Sequence, residues 1–142
     1  MNILFDTNVV LDVLLDREPF ANDAAFLFSK VEQGKISGFL CATTVITLHY
    51  LIAKALGPPE ANQHVQSLLS LFIVAPVNRI VLEQAIAASF TDFEDAVLHA
   101  AACHGGVHSI VTRNVRDFSK ATLPVFTPPE LINALEVLSR QD

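Results

Sequence analysis

Short apolar runs alternate along the chain with longer segments in which apolar residues recur every three or four positions. An uninterrupted short run is typical of a buried strand, whereas the longer repeat is typical of an amphipathic helix. The predicted strands are 3–5, 37–42, 72–74, 109–112 and 125–126. The predicted helices are 8–15, 22–33, 43–56, 60–71, 80–89, 93–104 and a last helix that begins at Pro128 or Pro129.

This alternation favours a mainly parallel sheet, because parallel neighbours need long crossover connections and helices supply them. Helices then cover both faces of the sheet, which gives a three-layer α/β/α arrangement. A chain of 142 residues can bury a proper core as one domain. No linker, internal repeat or low-complexity tract interrupts it. We therefore predict a single α/β domain over residues 1–142.

Residues that begin and end helices support these boundaries. Asp6 or Thr7 is placed to cap the first helix, and Thr43 or Thr44 is placed to cap the third. Glycine and proline end the helices at Gly34, at Gly57-Pro58-Pro59 and at Gly105-Gly106.

One stretch, residues 36–53, carries no formal charge and raises the question of a membrane span. Polar residues interrupt it, namely Ser37, Thr43, Thr44, Thr47 and His49. They divide the stretch into a strand-like half and a helix-like half. We therefore expect a buried strand followed by a buried helix, and no association with a membrane.

The two cysteines, Cys41 and Cys103, lie in apolar surroundings without the spacing of a zinc site or a redox pair. We expect both to be buried free thiols, as in proteins of a reducing cytosol. The start of the chain has no basic segment of the kind that opens a secretory signal. These features predict a cytoplasmic protein.

The formal net charge of -6 argues against a protein that wraps nucleic acid with a broad positive surface. Any action on nucleic acid has to be local, through a metal ion and a few placed cations. The five histidines lack zinc-binding spacing, and nothing resembles a Ser-His-Asp triad or a phosphate-binding glycine loop.

Polar residues that follow strands are the strongest functional candidates, because ligands of open α/β sheets bind beyond the carboxyl ends of the strands. Asp6 directly follows the first strand, and Asn114 and Asp117 follow the fourth. Asp92 and Asp95 lie at the start of an alanine-rich helix. Helix capping is the alternative role for each of them. Oxygen ligands at one sheet edge suit Mg²⁺ or Mn²⁺, which could activate water for phosphodiester hydrolysis.

The order of these motifs resembles the PIN domain. The phrases that carry the resemblance are Asp6-Thr7-Asn8, Asp95-Ala96, Thr112-Arg113-Asn114 and Asp117-Phe118. It implies an α/β/α fold whose acidic cluster binds Mg²⁺ or Mn²⁺ and cuts RNA. It also implies kinship with VapC-type toxins, which an antitoxin protein holds inactive. By the resemblance Asp6, Asp95 and Asn114 match metal ligands, and Asp117 assists or replaces Asn114.

The sequence departs from that family where a glutamate is usual, on the helix after the second strand, in a phrase such as Thr-x-x-Glu. Residues 44–50 contain no carboxylate, and His49 is the nearest polar residue. Asp92, Glu94 or Asp12 could supply the missing group, although Asp12 is better explained as an exposed helix residue. The predicted catalytic residues are Asp6, Asp92, Asp95 and Asp117, and the predicted metal ligands are Asp6, Asp95, Asn114 and Asp117.

Two functions follow as hypotheses: a metal-dependent endoribonuclease, and a PIN-like module that binds RNA or protein without useful catalysis. Arg113, Arg116 and Lys120 bracket the predicted site and could meet RNA phosphates, with solvated surface charge as the alternative. A receiver-like domain also places acids at strand ends, but no lysine closely follows the fourth strand.

Partners are expected from the same features. The first two helices carry Phe20, Phe26 and Phe28, which exceed what a core of this size needs. An exposed apolar patch there would mark an interface. The resemblance implies both a homodimer and an antitoxin, and the sequence does not separate these two partners.

Overall fold

The computed structural model describes residues 1–140, which form five strands, seven α-helices and one short 3-10 helix, Val115–Phe118. The strands are β1 Asn2–Phe5, β2 Ser37–Cys41, β3 Ile73–Ala75, β4 Ser109–Val111 and β5 Val125–Phe126. The helices are α1 Thr7–Leu14, α2 Ala21–Glu32, α3 Ala42–Leu56, α4 Pro58–Leu71, α5 Arg79–Ala87, α6 Phe93–His104 and α7 Pro128–Arg140. Every predicted element is present, with boundaries shifted by a few residues.

All neighbouring strands are parallel, in the order β3-β2-β1-β4-β5. The chain moves outward from the central β1 through β2 to β3, then returns to the other side of β1 to add β4 and β5. The direction of winding therefore reverses between β1 and β4. Ligand sites of doubly wound sheets lie at such a reversal, beyond the carboxyl ends of the strands.

Helices pack on both faces of the sheet around two cores, which confirms the predicted three-layer α/β/α fold. Successive residues of a strand point to opposite faces. Accordingly Ile3 and Phe5 join one core, and Leu4 joins the other. Phe5, Phe28 and Phe72 meet edge to face in the first core, with ring centroids 5.2–5.8 Å apart. The second core includes the four buried alanines of α6, packed with larger apolar side chains such as Leu4, Phe39 and Ile110.

Several predicted details are wrong. Cys41, not Thr43 or Thr44, occupies the N-cap position of α3, and no side chain caps that helix. Cys41 is a buried free thiol as expected, whereas the free thiol of Cys103, next to the buried Ala101 and Ala102 on α6, is exposed to solvent. The strand and helix predicted for residues 36–53 are confirmed, because this stretch contains β2 and most of α3. None of the helices within residues 1–140 is both long enough and apolar enough to span a bilayer.

The expected aromatic patch on the first helices is smaller than predicted, because Phe28 belongs to the core. Phe20 and Phe26 are each 39% exposed. A cation covers each ring: the Arg113 guanidinium lies 3.9 Å from the ring centroid of Phe20, and the Lys30 ammonium lies 5.0 Å from that of Phe26.

Candidate active site

Asp6 lies at the carboxyl end of β1 and is the N-cap residue of α1, where its Oδ1 accepts a hydrogen bond of 2.8 Å from the backbone N–H of Thr7. Its Oδ2 accepts a hydrogen bond of 2.7 Å from the Thr112 hydroxyl, which follows β4. The two strands that flank the winding reversal therefore meet at this carboxylate. Asp6 therefore caps α1 with Oδ1 alone, and Oδ2 takes no part in the capping.

Burial raises the pKa of the Asp6 carboxyl, because desolvation outweighs the hydrogen bonds from Thr112 and Thr7 that stabilise the carboxylate. The nearby charges of Asp117 and Glu94 raise it further. Asp6 is only 9% exposed, and no ion pair with a Lys, Arg or His side chain of residues 1–140 compensates its charge. A buried carboxylate without a counter-charge favours a cation from solution.

Asp95 is brought to Asp6 by the start of α6. Asp92 caps this helix by accepting a hydrogen bond of 3.0 Å from the backbone N–H of Asp95, and this fixes the first turn. Buried Ala96 and its neighbours let the helix approach the sheet closely. Desolvation raises the pKa of Asp95 to about 7, with further contributions from the charges of Asp6, Asp92, Asp117 and Glu94. Four carboxylates therefore crowd around Asp95.

A narrow cleft joins the carboxylates of Asp6, Asp95 and Glu94 to hydroxyls of α1 and α3. The remaining residues that line it are Thr7, Thr43, Thr44, Thr47 and Leu98. The hydroxyl oxygens of Thr7 and Thr44 lie 3.3 Å apart across the cleft. The cleft thus offers oxygen atoms from three helices.

Thr47 lines this cleft together with Thr43 and Thr44 of the same helix, whereas His49 does not. The ring of His49 faces α4 instead, with Nε2 2.7 Å from Asn62 Oδ1. Thr47 was not predicted as a site residue, although it lies four positions after Thr43 and three after Thr44, a helical spacing that places all three on one face.

A second cleft opens on the other side of Asp95. It combines the acidic residues Asp92 and Asp117 with the cations Arg116 and Lys120. Asp95 lines both of these clefts, and Asn114 lines neither. Asn114 lines a third, neighbouring cleft together with Asp117. The structure therefore groups Asp6, Glu94 and Asp95 on one side, and Asp92, Asp95 and Asp117 on the other.

Asp12 was expected to be an exposed helix residue, and this prediction is wrong. Its carboxylate is buried and forms ion pairs with two arginines. Its side chain is completely buried, with Oδ1 2.9 Å from Arg17 Nε and Oδ2 2.8 Å from Arg113 Nε. Two arginines neutralise it, which removes Asp12 from the candidates for the missing family carboxylate. The same contacts turn Arg113 toward the protein.

The donor set fits a hard divalent cation bound partly through water. No group of three or more His, Cys, Asp or Glu side chains within residues 1–140 is arranged as a metal site. Mg²⁺ does not require such a cage, because it keeps several waters and commonly uses one or two carboxylates. The crowded, uncompensated charges of Asp6 and Asp95 supply that pair, and the threonine hydroxyls can hold bound water.

The raised pKa of Asp95 makes stability depend on pH. The folded chain binds this proton with a pKa of about 7, against 3.8 for the ordinary group. Without metal, the stability that the protonated form contributes is full below the lower pKa and is lost as the pH rises through about 7. We expect the Tm of the wild type, measured with EDTA between about pH 4 and pH 8, to fall relative to that of Asp95→Asn. If the Tm of the wild type and that of Asp95→Asn changed in parallel over this pH range, the raised pKa of Asp95 would be refuted.

A family model for the PIN domain matches residues 2–116, which is most of the chain. The protein therefore belongs to the PIN-domain family, and the resemblance seen in the sequence is confirmed. Nothing among the curated proteins matches the sequence significantly.

Solved structures with the same fold include proteins of toxin–antitoxin systems. FitAB bound to an IR36 DNA fragment has a TM-score of 0.71 and 24% identity over 89% of this chain and 94% of that chain. A toxin–antitoxin complex from Klebsiella pneumoniae has a TM-score of 0.66 and 21% identity over 89% and 97%. VapC20 from Mycobacterium tuberculosis, described as a sarcin–ricin loop cleaving toxin, has a TM-score of 0.62 and 16% identity over 76% and 86%.

Proposed function

We propose that this PIN domain is an endoribonuclease that depends on Mg²⁺ or Mn²⁺. The observation that carries the proposal is the buried Asp6 carboxylate, which faces Asp95 across a cleft without a compensating cation among residues 1–140. Membership of the PIN family and the toxin described as cleaving the sarcin–ricin loop support RNA as the substrate. Cleavage that requires added metal and disappears with Asp6→Asn is the test.

Asp6 and Asp95 hold the cation in this proposal. The bound cation would lower the pKa of a water molecule and neutralise charge that develops on the phosphate. Thr112 orients the Asp6 carboxylate through its hydroxyl, and the backbone N–H of Thr7 fixes the other oxygen. Because the orienting groups belong to the residue that follows β4 and to the first residue of α1, the carboxylate is held before substrate arrives. Asp117 and Asn114 approach from the neighbouring clefts and can contribute water-mediated ligands.

Glu94 supplies the carboxylate that α3 lacks. It lines the same cleft as Asp6 and Asp95, whereas Asp92 lines the second cleft and is used as the cap of α6. Asp12 is withdrawn into its arginine pairs. In this arrangement one helix, α6, provides two neighbouring carboxylates.

Arg116 and Lys120 provide the local positive charge for RNA phosphates. Both are exposed beside the second cleft, and neither forms an ion pair within residues 1–140. Their position next to Asp95 and Asp117 would place a phosphate close to the cation. This local arrangement is compatible with a net charge of -6, which does not favour extended binding along RNA.

A PIN-like binding module without catalysis is the second candidate, favoured by the threonines that line the cleft in place of a glutamate of α3. In that case RNA or protein binding would survive Asp6→Asn. A metal titration of the wild type without a saturable site would favour it over the nuclease.

We also propose a second copy of the chain and an antitoxin as partners, the latter supported by the toxin–antitoxin complexes among the structural neighbours. Ile46, Tyr50 and Ile86 are 71%, 61% and 73% exposed on α3 and α5. Ile46 and Tyr50 lie one helical turn apart on the same face of α3, and a contiguous exposed apolar patch favours burial in an interface. Sedimentation velocity is expected to show a dimer, and a monomer at every concentration would contradict self-association through these helices.

A further inference from the structure

Arg113 directly follows Thr112. Its planar guanidinium contacts Asp12 along one edge and the ring of Phe20 on one face. A terminal N–H of its guanidinium donates a hydrogen bond of 3.3 Å to Asp12 Oδ1. Its Nε lies 2.8 Å from Asp12 Oδ2, an ion-pair contact that lacks hydrogen-bond geometry. The guanidinium carbon lies 3.9 Å from the ring centroid of Phe20, so the ring covers one face. Only a quarter of the side chain is exposed.

The partner in these contacts, Asp12, has no contact with solvent. Its second arginine, Arg17, donates from Nε to Asp12 Oδ1 at 2.9 Å, and from a terminal N–H to the backbone carbonyl of Asn8 at 3.2 Å. A buried charge without a partner is strongly unfavourable, so each group requires the others. The cluster of Asp12, Arg17 and Arg113 therefore ties α1 to the segment that follows β4.

This cluster is continuous with the candidate active site. The backbone N–H of Arg113 donates to Asn8 Oδ1 at 3.3 Å, and the side-chain amide of Asn8 donates to Asp6 Oδ2 at 3.4 Å. The hydroxyl of Thr112 donates to the same oxygen at 2.7 Å and accepts a hydrogen bond of 3.0 Å from the backbone N–H of Asn114. Residues 112–114 are thus held by Asp6 and Asn8 at the candidate active site and by Asp12 and Phe20 through the side chain of Arg113.

We propose that Arg113 is a positioning residue, which fixes residues 112–114 through Asp12 and Phe20 and thereby orients the Asp6 carboxylate. Arginine suits this role because its planar fork can contact a carboxylate along one edge and stack on an aromatic face at the same time. From its sequence position Arg113 is expected to contact RNA together with Arg116 and Lys120. Its guanidinium is committed to Asp12 and Phe20, whereas the other two cations are exposed. The catalytic consequence of this role rests on the proposed nuclease function.

Two measurements on Arg113→Gln test this role, with Arg116→Gln and Lys120→Gln as matched variants. Hydrogen exchange reports on the backbone amides of positions 113 and 114, whose acceptors are side chains of the network, and it requires no activity. We expect exchange at these two amides to accelerate at least about tenfold, and kcat to fall by about 10–100-fold, the range for residues that orient ligands. KM and its salt dependence should stay at wild-type values. The matched variants should raise KM, flatten its salt dependence and leave exchange unchanged.

Other outcomes would overturn the proposal. A raised KM with a weaker salt dependence and wild-type exchange would make Arg113 an RNA contact. Faster exchange throughout the chain with unchanged kcat would make it a general stabilising residue. If Arg113→Gln does not fold, Arg113→Lys keeps the charge without the fork, and wild-type exchange and kcat in that variant would also exclude positioning. A wild type without cleavage would refute the nuclease, while the exchange pattern would still decide the role of Arg113.

Discussion

Replacing Asp6 by asparagine is expected to reduce metal-dependent RNA cleavage by more than about 100-fold, because changes to the partners of metal ligands alone cost 10–100-fold. The fold should tolerate the change. Asparagine has the same size and can still accept the hydrogen bond from the Thr7 backbone, although its amide nitrogen cannot accept the hydrogen bonds that Asp6 Oδ2 receives from Thr112 and Asn8. Burial already raises the pKa of Asp6, so the fold disfavours its charge. Removal of that charge offsets the two lost hydrogen bonds, and the Tm without metal should stay close to that of the wild type.

Asp16→Asn is the matched control for this substitution. Asp16 is exposed beyond α1 and has a φ of 49°, a left-handed conformation that asparagine adopts readily. The control should retain wild-type cleavage and metal binding. Cleavage by Asp6→Asn within a few-fold of this control would remove Asp6 from the active site.

Glu94→Gln carries the second largest expected effect, a loss of about 10–100-fold in Mn²⁺ affinity measured by calorimetry. The reason is that Glu94 adds a charge to the cleft of Asp6 and Asp95, where α3 offers only hydroxyls. Activity with saturating RNA should fall at limiting metal and recover in part at high metal. Its backbone position in the first turn of α6 is not expected to change.

Glu60→Gln provides the control, since Glu60 also lies in the first turn of a helix and is exposed. Both variants lose a similar interaction with the helix dipole, of about 0.3–1 kcal/mol, so a difference in metal affinity reports on the cleft alone. Wild-type affinity in Glu94→Gln together with a loss in Asp92→Asn would transfer the role to Asp92.

The fold was largely predictable because each element has a local pattern. The apolar run that ends at Asp6 and the alanine-rich segment after Asp92 identify a strand and a closely packed helix. The rule that ligands gather beyond strand ends then places Asp6 near residues that follow β4. Strand order does not follow from such patterns, and it is the position of β1 beside β4 that brings Thr112 to Asp6.

The Asp12 cluster was not predictable from local patterns. The spacing of apolar residues around Asp12 is typical of a helix with one exposed face. In the structure, however, the four consecutive residues 9–12 of α1 are all buried. A buried aspartate needs partners, and Arg113 lies 101 residues away in the sequence. Only the packing of the segment after β4 against α1 shows that this cation is used internally.

The absence of a carboxylate from residues 44–50 is visible in the sequence, but which carboxylate lies beside α3 in its place depends on geometry between helices. Glu94 and Asp92 are two residues apart, and a helical pattern does not decide which of them faces Asp6. The first turn of α6 settles their directions, because Asp92 turns back to cap the helix and Glu94 lines the cleft. Thr47 completes that cleft from the opposite helix.

The proposed metal site can be tested with a crystal soaked in Mn²⁺ and measured at the manganese absorption edge. We expect one anomalous peak in the cleft between the carboxylates of Asp6 and Asp95, with Glu94 close enough to bind directly or through water. The same soak of Asp6→Asn should lose the peak. A wild-type crystal that binds manganese only elsewhere, or not at all, would refute a metal site at Asp6 and Asp95.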